Sequence, residues 1–318
     1  NPEIVCYSQY VYYCNHWKIL LTVERRLPEW FKVKAPGSTN FIELRSRIQG
    51  ANLNTVCEEA ACPNIGDCWD RGTATFMILG DICTRSCSYC NVKTGRPITL
   101  DRTEPFRVAV TVKRMNLKYA VITSVDRDDL EDYGSSFFAE TIKQIRHLSP
   151  SCNVEVLIPD FEGSSESLVK VVNAQPQVLN HNIETVRRVF KKVRPRGNYD
   201  VSLDLLRNVK KINGNMPTKS GMMVGLGETK DEILRTMEDL RNKNCDLLTI
   251  GQYLRPSKKH HPLIRFYHPD EFAQLKELGL EMGFKHVASG PLVRSSYHAD
   301  EQHDAVLDKL LQKPSSQP

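Results

Sequence analysis

Cysteines are the residues of this chain whose number and spacing most clearly predict chemistry. Six of its ten cysteines form two triplets, Cys57-x4-Cys62-x5-Cys68 and Cys83-x3-Cys87-x2-Cys90. A structural zinc site closes its tetrahedron with four protein ligands, so three thiolates leave one metal position open. In a cubane iron–sulfur cluster, three thiolates bind three irons and leave the fourth iron free to bind a small molecule. The spacing therefore favours iron–sulfur chemistry, with zinc, disulfides and packing cysteines as the alternatives.

Length and composition place these cysteines in an ordinary globular protein. The chain has 318 residues, of which 40% are hydrophobic and 25% charged. A secreted disulfide scaffold is usually much shorter, so we expect a reduced compartment: the cytoplasm, or a mitochondrion or plastid if the source is eukaryotic. No apolar run reaches the roughly 18 residues of a membrane helix. The net charge of +5 is spread along the chain, which gives no basis for nucleic-acid binding but suits an acidic protein partner.

Short apolar runs alternate with amphipathic stretches outside the cysteine triplets. The predicted strands are 75–79, 119–125, 154–158, 178–180, 220–224 and 247–253. The predicted helices are 104–115, 137–147, 165–173, 201–212, 230–243 and 269–282. Alternation of this kind is typical of parallel βαβ units. Six units are fewer than the eight of a closed barrel, so we expect an α/β fold with a partial, open (β/α)6 barrel similar to a TIM barrel.

Polar residues follow two of these strands, at the edge where parallel β/α folds place their active sites. They are Thr123, Ser124 and Asp126 after the second strand, and Asn182 and Glu184 after the fourth. Their hydroxyl, amide and carboxylate groups suit the ammonium group and ribose hydroxyls of a ligand. Taken singly, each of them has an alternative interpretation as a loop cap or turn residue.

The triplet that follows the first predicted strand resembles a known signature. Cys83-x3-Cys87-x-Tyr89-Cys90 is similar to the motif of the radical S-adenosylmethionine (SAM) superfamily. The resemblance implies a partial β/α barrel in which the three cysteines hold a 4Fe–4S cluster and SAM chelates its open iron. It also implies that Tyr89 lies by the adenine and that the polar strand-end residues position SAM.

The second triplet narrows the resemblance to the lipoyl synthase family. That family carries an N-terminal Cys-x4-Cys-x5-Cys motif for an auxiliary 4Fe–4S cluster, and a C-terminal Arg-Ser-Ser-Tyr motif. The latter is present here as Arg294-Ser295-Ser296-Tyr297. A serine of this motif is implied as the fourth ligand of the auxiliary cluster: Ser296 by the family pattern, with Ser295 as the lesser candidate. The similarity extends from about residue 28 to about residue 300.

The resemblance implies insertion of two sulfurs, at C6 and C8 of an octanoyl chain amide-linked to a lysine of a carrier domain. Unactivated C–H bonds resist acid–base catalysis, so a cofactor must carry the difficult step. The implied carriers are the E2 subunits of 2-oxoacid dehydrogenases and the glycine cleavage H protein, and the implied electron donor is a ferredoxin or flavodoxin. Neither nucleic acid nor membrane is expected as a partner.

Four segments organise the chain on this interpretation. Residues 1–23 are an unassigned leader that matches nothing we identify in the family, and the N-terminal extension 24–72 carries the auxiliary motif. The barrel covers 73–284, and the C-terminal extension 285–318 carries the Arg-Ser-Ser-Tyr motif and a loose tail. Because the chain does not begin with Met, we expect a fragment or a mis-set start.

Two alternative functions remain at this point. One is another radical SAM enzyme with an auxiliary cluster, such as a methylthiotransferase or a biotin-synthase-like protein, although those relatives lack the N-terminal triplet and the C-terminal motif. The other is a zinc-binding interaction module.

Three further sequence features have ordinary interpretations. His260-His261 could be metal ligands, but without a second metal-ligand pair we expect a solvent-facing loop. The basic run Arg255-x-x-Lys258-Lys259 is either a solvated loop or a contact for an acidic carrier domain. The run 225–229 lacks the glycine spacing of a dinucleotide site. We predict a turn there, with Thr229 capping the following helix.

Overall fold

The computed structural model describes residues 4–5, 27–33, 37–60 and 62–311. Nearly all of the predicted leader, with Cys6 and Cys14, lies outside these residues, as does the tail from 312 to 318. An eight-stranded sheet organises the part of the chain that is described.

The strands of the described residues form one main sheet and two short pairs. They are β1 (Ile4–Val5), β2 (Lys32–Val33), β3 (Asn54–Thr55), β4 (Thr73–Ile78), β5 (Ile82–Cys83), β6 (Lys93–Thr94), β7 (Tyr119–Ser124), β8 (Asn153–Leu157), β9 (Val178–Asn180), β10 (Thr218–Val224), β11 (Leu247–Gln252) and β12 (His286–Gly290). The order of the main sheet is β12-β11-β10-β9-β8-β7-β4-β3. Neighbours from β4 to β12 are parallel, whereas β3 pairs with β4 in the antiparallel sense. The short pairs are β1 with β2 and β5 with β6.

Helices connect the parallel strands and cover the sheet. They are α1 (Thr39–Gly50), α2 (Val56–Glu59), α3 (Ile65–Asp70), α4 (Glu104–Arg114), α5 (Ser135–Leu148), α6 (Ser165–Asn173), α7 (Arg187–Val193), α8 (Tyr199–Ile212), α9 (Lys230–Asn242), α10 (Pro269–Glu281) and α11 (Ala299–Leu311). Within the residues described, none of these helices combines the length and apolar character needed to span a bilayer.

Burial explains why these segments adopt these structures. All six residues of β4 and all six of β11 are buried, as expected for parallel strands that are covered on both faces. The covering helices are amphipathic: α8 buries Leu203, Leu206 and Val209, spaced by three residues, and so turns one stripe toward the sheet. Thr229 caps α9 through a capping box with Glu232, which confirms the predicted turn and cap.

All six predicted strands and all six predicted helices are present, with ends shifted by a few residues. The sheet differs from the prediction in having a further parallel strand, β12, in the segment that we assigned to the C-terminal extension. Its sequence, His-Val-Ala-Ser-Gly, has no apolar run, and only Val287 is buried. In the described residues β12 and β3 are the two edges of the sheet, and no pairing between them is present.

The interior face of the barrel holds a buried charged pair. Lys219 Nζ of β10 lies 3.0 Å from Glu155 Oε1 of β8, and the hydroxyl of Tyr119 donates to Glu155 Oε2 at 3.0 Å. Ala299, at the start of α11, packs against Tyr119 and Val121 of β7. The C-terminal helix therefore lies against the same face of β7 that carries Thr123 at its carboxyl end, because alternate strand residues share a face.

Candidate active site

The first cysteine triplet lies at the carboxyl end of β4, in the loop that begins with β5. Cys83, Cys87 and Cys90 all line one cavity of about 230 Å³. The backbone N–H of Cys90 donates to the carbonyl oxygen of Cys87 at 3.1 Å, and that of Gly95 donates to Cys83 at 2.9 Å. These bonds fold the loop back on itself, so that three thiols separated in sequence face the same space.

Backbone donors surround the sulfur of Cys83. The N–H groups of Arg85 and Asp126 point at Cys83 Sγ from 3.4 and 3.3 Å. Burial raises the pKa of Cys83 to about 11 and that of Cys87 to about 12. Hydrogen bonds to the sulfur oppose this shift at Cys83 and favour the thiolate that iron requires. The donor set of three convergent thiols and sulfur-directed N–H groups therefore fits an iron–sulfur cluster.

A buried arginine inside the cysteine loop fixes its position. The guanidinium of Arg85 lies 2.7 Å from Asp128 Oδ1 and 2.8 Å from Asp160 Oδ1, and its side chain is 1% exposed. Arg194 approaches Asp160 from the other side at 3.4 Å. Burial raises the pKa of Asp160, but the charges of Arg194 and Arg85 outweigh burial and lower it overall. These ion pairs tie the cysteine loop to the ends of β7 and β8.

Sequence analysis did not identify Arg85 or Arg194 as site residues. The position of Arg85 between Cys83 and Cys87 was a usable signal. Arg194 follows the short helix α7, and no spacing in the sequence distinguishes it from the neighbouring basic residues.

All six residues that the sequence assigned to SAM binding line the cavity of the first triplet. They are Tyr89, Thr123, Ser124, Asp126, Asn182 and Glu184. Ser124 Oγ and Asp126 Oδ1 are buried and make no hydrogen bond with the described residues, although Arg85 Nε lies 3.4 Å from the latter. Such atoms need a polar partner. The cavity therefore suits a ligand with hydrogen-bonding groups, as SAM has.

Glu184 is held in an unusual backbone conformation beside this cavity. Its φ is +67°, in the left-handed region that non-glycine residues rarely adopt. Its N–H donates to Gly221 at 3.0 Å and its carbonyl oxygen accepts from Met223 at 2.8 Å. Burial raises the pKa of Glu184, whereas Arg194 and hydrogen bonds from Tyr89 and Asn182 act to lower it. Strain at such a position is typical of functional sites.

Thr123 is already partly engaged. Its hydroxyl donates to the carbonyl oxygen of Leu157 at 2.9 Å. Because the hydroxyl proton of Thr123 is donated to the backbone, the hydroxyl can only accept a hydrogen bond from a ligand.

The loop after β11 covers the cysteine loop. His260 Nε2 lies 3.0 Å from the carbonyl oxygen of Cys90, and the N–H of His261 donates to Ser88 at 2.8 Å. The hydroxyl of Tyr253 donates to the carbonyl oxygen of His261 at 2.8 Å. Both histidines are half-buried, so the expectation of a solvent-facing pair was wrong. They are contacts between two loops, which sequence spacing does not reveal.

The second triplet lies on two short helices against the first strands of the sheet. Cys57 is in α2, Cys62 is in the following turn, and Cys68 is in α3. The N–H of Cys62 donates to the carbonyl oxygen of Cys57 at 2.9 Å. Burial and then the nearby Cys62 raise the pKa of Cys57 to about 12. Burial also raises the pKa of Cys68, and the nearby Cys62 and Cys57 raise it further. The three thiols are therefore close enough to affect one another's ionisation.

Residues that flank the C-terminal motif contact residues that lie between the cysteines of the second triplet. Asn64 Nδ2 donates to the carbonyl oxygen of Leu292 at 2.6 Å, and His298 Nε2 lies 3.0 Å from Asp67 Oδ2. Burial raises the pKa of Cys62, and the charge of Arg294 offsets part of the shift. These contacts join segments that are more than 220 residues apart.

Ser295 and Ser296 differ in their surroundings. The hydroxyl of Ser295 donates to Asn182 Oδ1 at 3.0 Å, at the cavity of the first triplet. Tyr297 follows Ser296 in the sequence, and burial and the neighbouring Asp67 and Cys68 raise its pKa. Ser296 is half-buried between these two residues. The structure thus brings the C-terminal motif to both cysteine triplets.

Neither triplet is arranged as a site for a single metal ion. Across the described residues, no group of three or more His, Cys, Asp or Glu side chains has an arrangement that could hold one ion.

Comparison with known proteins agrees with this geometry. Residues 77–240 match the model of the radical SAM superfamily. The crystal structure of methylornithine synthase shares the fold, with a TM-score of 0.51 and 14% identity over 86% of this chain and 93% of that chain. HydG, a maturase of the FeFe-hydrogenase, shares it with a TM-score of 0.50 and 16% identity over 84% of this chain and 71% of that chain. The fold and the cysteine loop thus define a radical SAM enzyme.

Closer relatives specify the family. Residues 9–62 match the model of the N-terminal domain of lipoyl synthase. The lipoyl synthase of Rubrobacter xylanophilus is 57% identical over 86% of each chain, and that of Shouchella clausii is 56% identical over 87% of this chain and 90% of its own. That of Bacillus cereus strain G9842 is 53% identical over 91% of this chain and 97% of its own. The chain belongs to the lipoyl synthase family.

Family membership confirms the predicted enzyme class and cofactors. These are SAM and 4Fe–4S clusters, the auxiliary cluster included, and the substrate is a protein-bound octanoyl chain. It removes the methylthiotransferase-like, biotin-synthase-like and zinc-module alternatives. The match from residue 9 also corrects our statement that residues 1–23 match nothing in the family.

Proposed function

We propose that the two cysteine triplets divide the reaction between them. Cys83, Cys87 and Cys90 hold the cluster that binds SAM, and Cys57, Cys62 and Cys68 hold the auxiliary cluster. When bound, these groups supply an adenosyl radical and the two sulfurs that enter C6 and C8 of the octanoyl chain. The observation that carries the proposal is that one C-terminal segment contacts Asn64, between two cysteines of the second triplet, and Asn182, in the cavity lined by the first triplet.

The protein's task at the first site is to hold SAM in one orientation. Ser124 Oγ and Asp126 Oδ1 provide buried polar atoms for the ligand. Asn182 and Glu184 line the same cavity, where an amide and a carboxylate suit an ammonium or ribose hydroxyls. Tyr89 lies in the cysteine loop, and we place it beside the adenine. Holding SAM and the auxiliary cluster at fixed positions lowers the entropic cost of bringing the reacting groups together.

At the second site we assign Ser296 as the fourth ligand. Its neighbour Ser295 is already bonded to Asn182, and its other neighbour Tyr297 lies near Cys68. A serine oxygen is a harder ligand than a thiolate and should hold iron less tightly in a sulfur-rich cluster. Release of sulfur is then easier at this cluster than at one bound only by thiolates.

The meeting of the two chain ends also shields the reaction. The C-terminal segment contacts Asn64 through Leu292 and Asn182 through Ser295, and His260 contacts the cysteine loop at Cys90. Excluding water and oxygen protects a radical from side reactions.

For the partners, we propose octanoylated E2 subunits of 2-oxoacid dehydrogenases and the glycine cleavage H protein as carriers, and a ferredoxin or flavodoxin as electron donor. The bacterial relatives favour the cytoplasm. Lys258 and Lys259, both exposed in the loop that covers the cysteine loop, suit an acidic carrier.

An anaerobic assay tests the proposed function. The full chain with both clusters is mixed with an octanoyl-lysine peptide, dithionite and SAM, and the peptide is analysed by mass spectrometry. We expect the mass of two added sulfurs, together with 5′-deoxyadenosine, and neither product from Cys87→Ala. Cleavage of SAM with methylthiolated or singly thiolated peptide as the final product would contradict the proposal.

A further inference from the structure

A polar contact at Asn182, in the lining of the SAM cavity, joins the loop after β9, strand β11 and the C-terminal motif, and a glycine of β10 makes room for it. A Cβ placed on Gly221 would lie 2.6 Å from Asn182 Oδ1, 2.8 Å from Ser295 Oγ and 2.9 Å from Thr249 Oγ1. Real Cβ atoms do not approach oxygen so closely, so only glycine lets these three polar side chains meet. Gly221 and Thr249 are paired across β10 and β11, and the N–H of Glu184 donates to Gly221.

One hydrogen bond sets the orientation of the amide at this contact. The hydroxyl of Ser295 donates to Asn182 Oδ1 at 3.0 Å. Asn182 also lines the SAM cavity. Because Ser295 holds the amide oxygen, the NH₂ group of Asn182 is left as the donor toward a ligand. The hydroxyl of Ser295 therefore favours the amide orientation that the SAM cavity needs.

We propose that Ser295 is a positioning residue for SAM: it acts through Asn182, and it is not a ligand of the auxiliary cluster. The inference rests on the proposed role of Asn182. It assigns different tasks to the two adjacent serines, with Ser295 serving the first site and Ser296 the second. Docking of the C-terminal segment on the auxiliary triplet then also completes the SAM site.

Equilibrium binding of SAM tests this inference. Proteins carrying both clusters are dialysed anaerobically against labelled SAM, and iron content and the spectrum of each cluster are recorded in parallel. Loss of one neutral hydrogen bond changes binding roughly threefold to tenfold, so we expect Ser295→Ala to raise the Kd for SAM by that factor. The iron content of Ser295→Ala should stay at the wild-type level. Ser289→Ala is the matched control, because its hydroxyl donates to the carbonyl oxygen of Phe272 at 2.8 Å, away from the cavity.

A double-mutant cycle with Asn182→Ala shows whether Ser295 acts through Asn182. We expect Ser295→Ala to have almost no further effect on the Kd in the Asn182→Ala background. An unchanged Kd in Ser295→Ala, with a raised Kd in Asn182→Ala, overturns the inference and leaves the proposed function intact. An unchanged Kd in Asn182→Ala overturns both the inference and the proposed SAM site. Loss of auxiliary iron from Ser295→Ala shows that Ser295 is itself a ligand, which also overturns the inference.

Discussion

Asn64 and Leu292 are joined by a hydrogen bond of 2.6 Å from the side-chain amide to the carbonyl oxygen, across 228 residues of sequence. Asn64 lies between Cys62 and Cys68, and Leu292 lies two residues before Arg294. No local interaction requires these segments to meet. The proposed auxiliary cluster would supply the reason, because its ligands would come from both segments.

The first prediction separates the two clusters. Cys87→Ala should abolish cleavage of SAM and keep the auxiliary cluster, with loss of about four irons per chain. Cys62→Ala should keep SAM cleavage and stop sulfur insertion, because the first triplet is unchanged. Iron analysis and the yield of 5′-deoxyadenosine measure both effects. If both variants lose both activities with all iron retained, the division of tasks is wrong.

The second prediction concerns the buried guanidinium of Arg85. Arg85→Gln leaves Asp128 and Asp160 without this partner, and loss of one member of a buried ion pair typically costs about 3–5 kcal/mol. We expect a lower melting temperature and iron missing from the first site only. Arg102→Gln, at an exposed position in the loop before α4, is the control and should change neither quantity. If Arg85→Gln keeps the iron content and stability of the wild type, Arg85 does not hold the cysteine loop in place.

The third prediction concerns the contact between His260 and Cys90. His260→Ala removes the hydrogen bond to the carbonyl oxygen of the third cysteine. We expect faster extraction of iron from the first cluster by a chelator, with the auxiliary cluster unaffected. The exposed His147 provides the control variant, His147→Ala. Equal extraction rates for wild type and His260→Ala would show that the covering loop does not stabilise the cluster.

The fourth prediction is a pH dependence. Burial, and then the charge of Arg194, lower the pKa of His181 to about 4, against the opposing charge of Asp160. In the unfolded chain this histidine has a pKa of about 6.5, so as the pH falls it binds a proton in the unfolded state before it does so in the folded state. The stability that is present above about pH 6.5 is therefore lost progressively toward about pH 4. Between pH 7.5 and 5.5 this loss amounts to about 1.4 kcal/mol.

His181→Gln lacks the titrating group and provides the comparison. Anaerobic urea unfolding at the two pH values should show that the unfolding free energy of the wild type falls by about 1.4 kcal/mol more than that of the variant. Parallel pH dependences would mean that His181 is not held neutral.

The sequence was sufficient to predict the features that depend on local pattern. The parallel strands from Thr73–Ile78 to Leu247–Gln252 are apolar and bounded by loops, and the cysteine triplets are recognisable by spacing. β12 was not predicted, because a strand at the sheet edge needs only one buried residue, Val287. The contacts of Arg85 with Asp160 and of His260 with Cys90 join distant segments, and no periodicity encodes them.

Anomalous diffraction at the iron edge, from crystals grown anaerobically, tests the central claim most directly. The account predicts two separate 4Fe–4S clusters. Cys83, Cys87 and Cys90 should bind one, and Cys57, Cys62 and Cys68 should bind the other, with the Oγ of Ser296 on its fourth iron. A single cluster, or a second cluster with Ser296 turned away from it, would contradict the account.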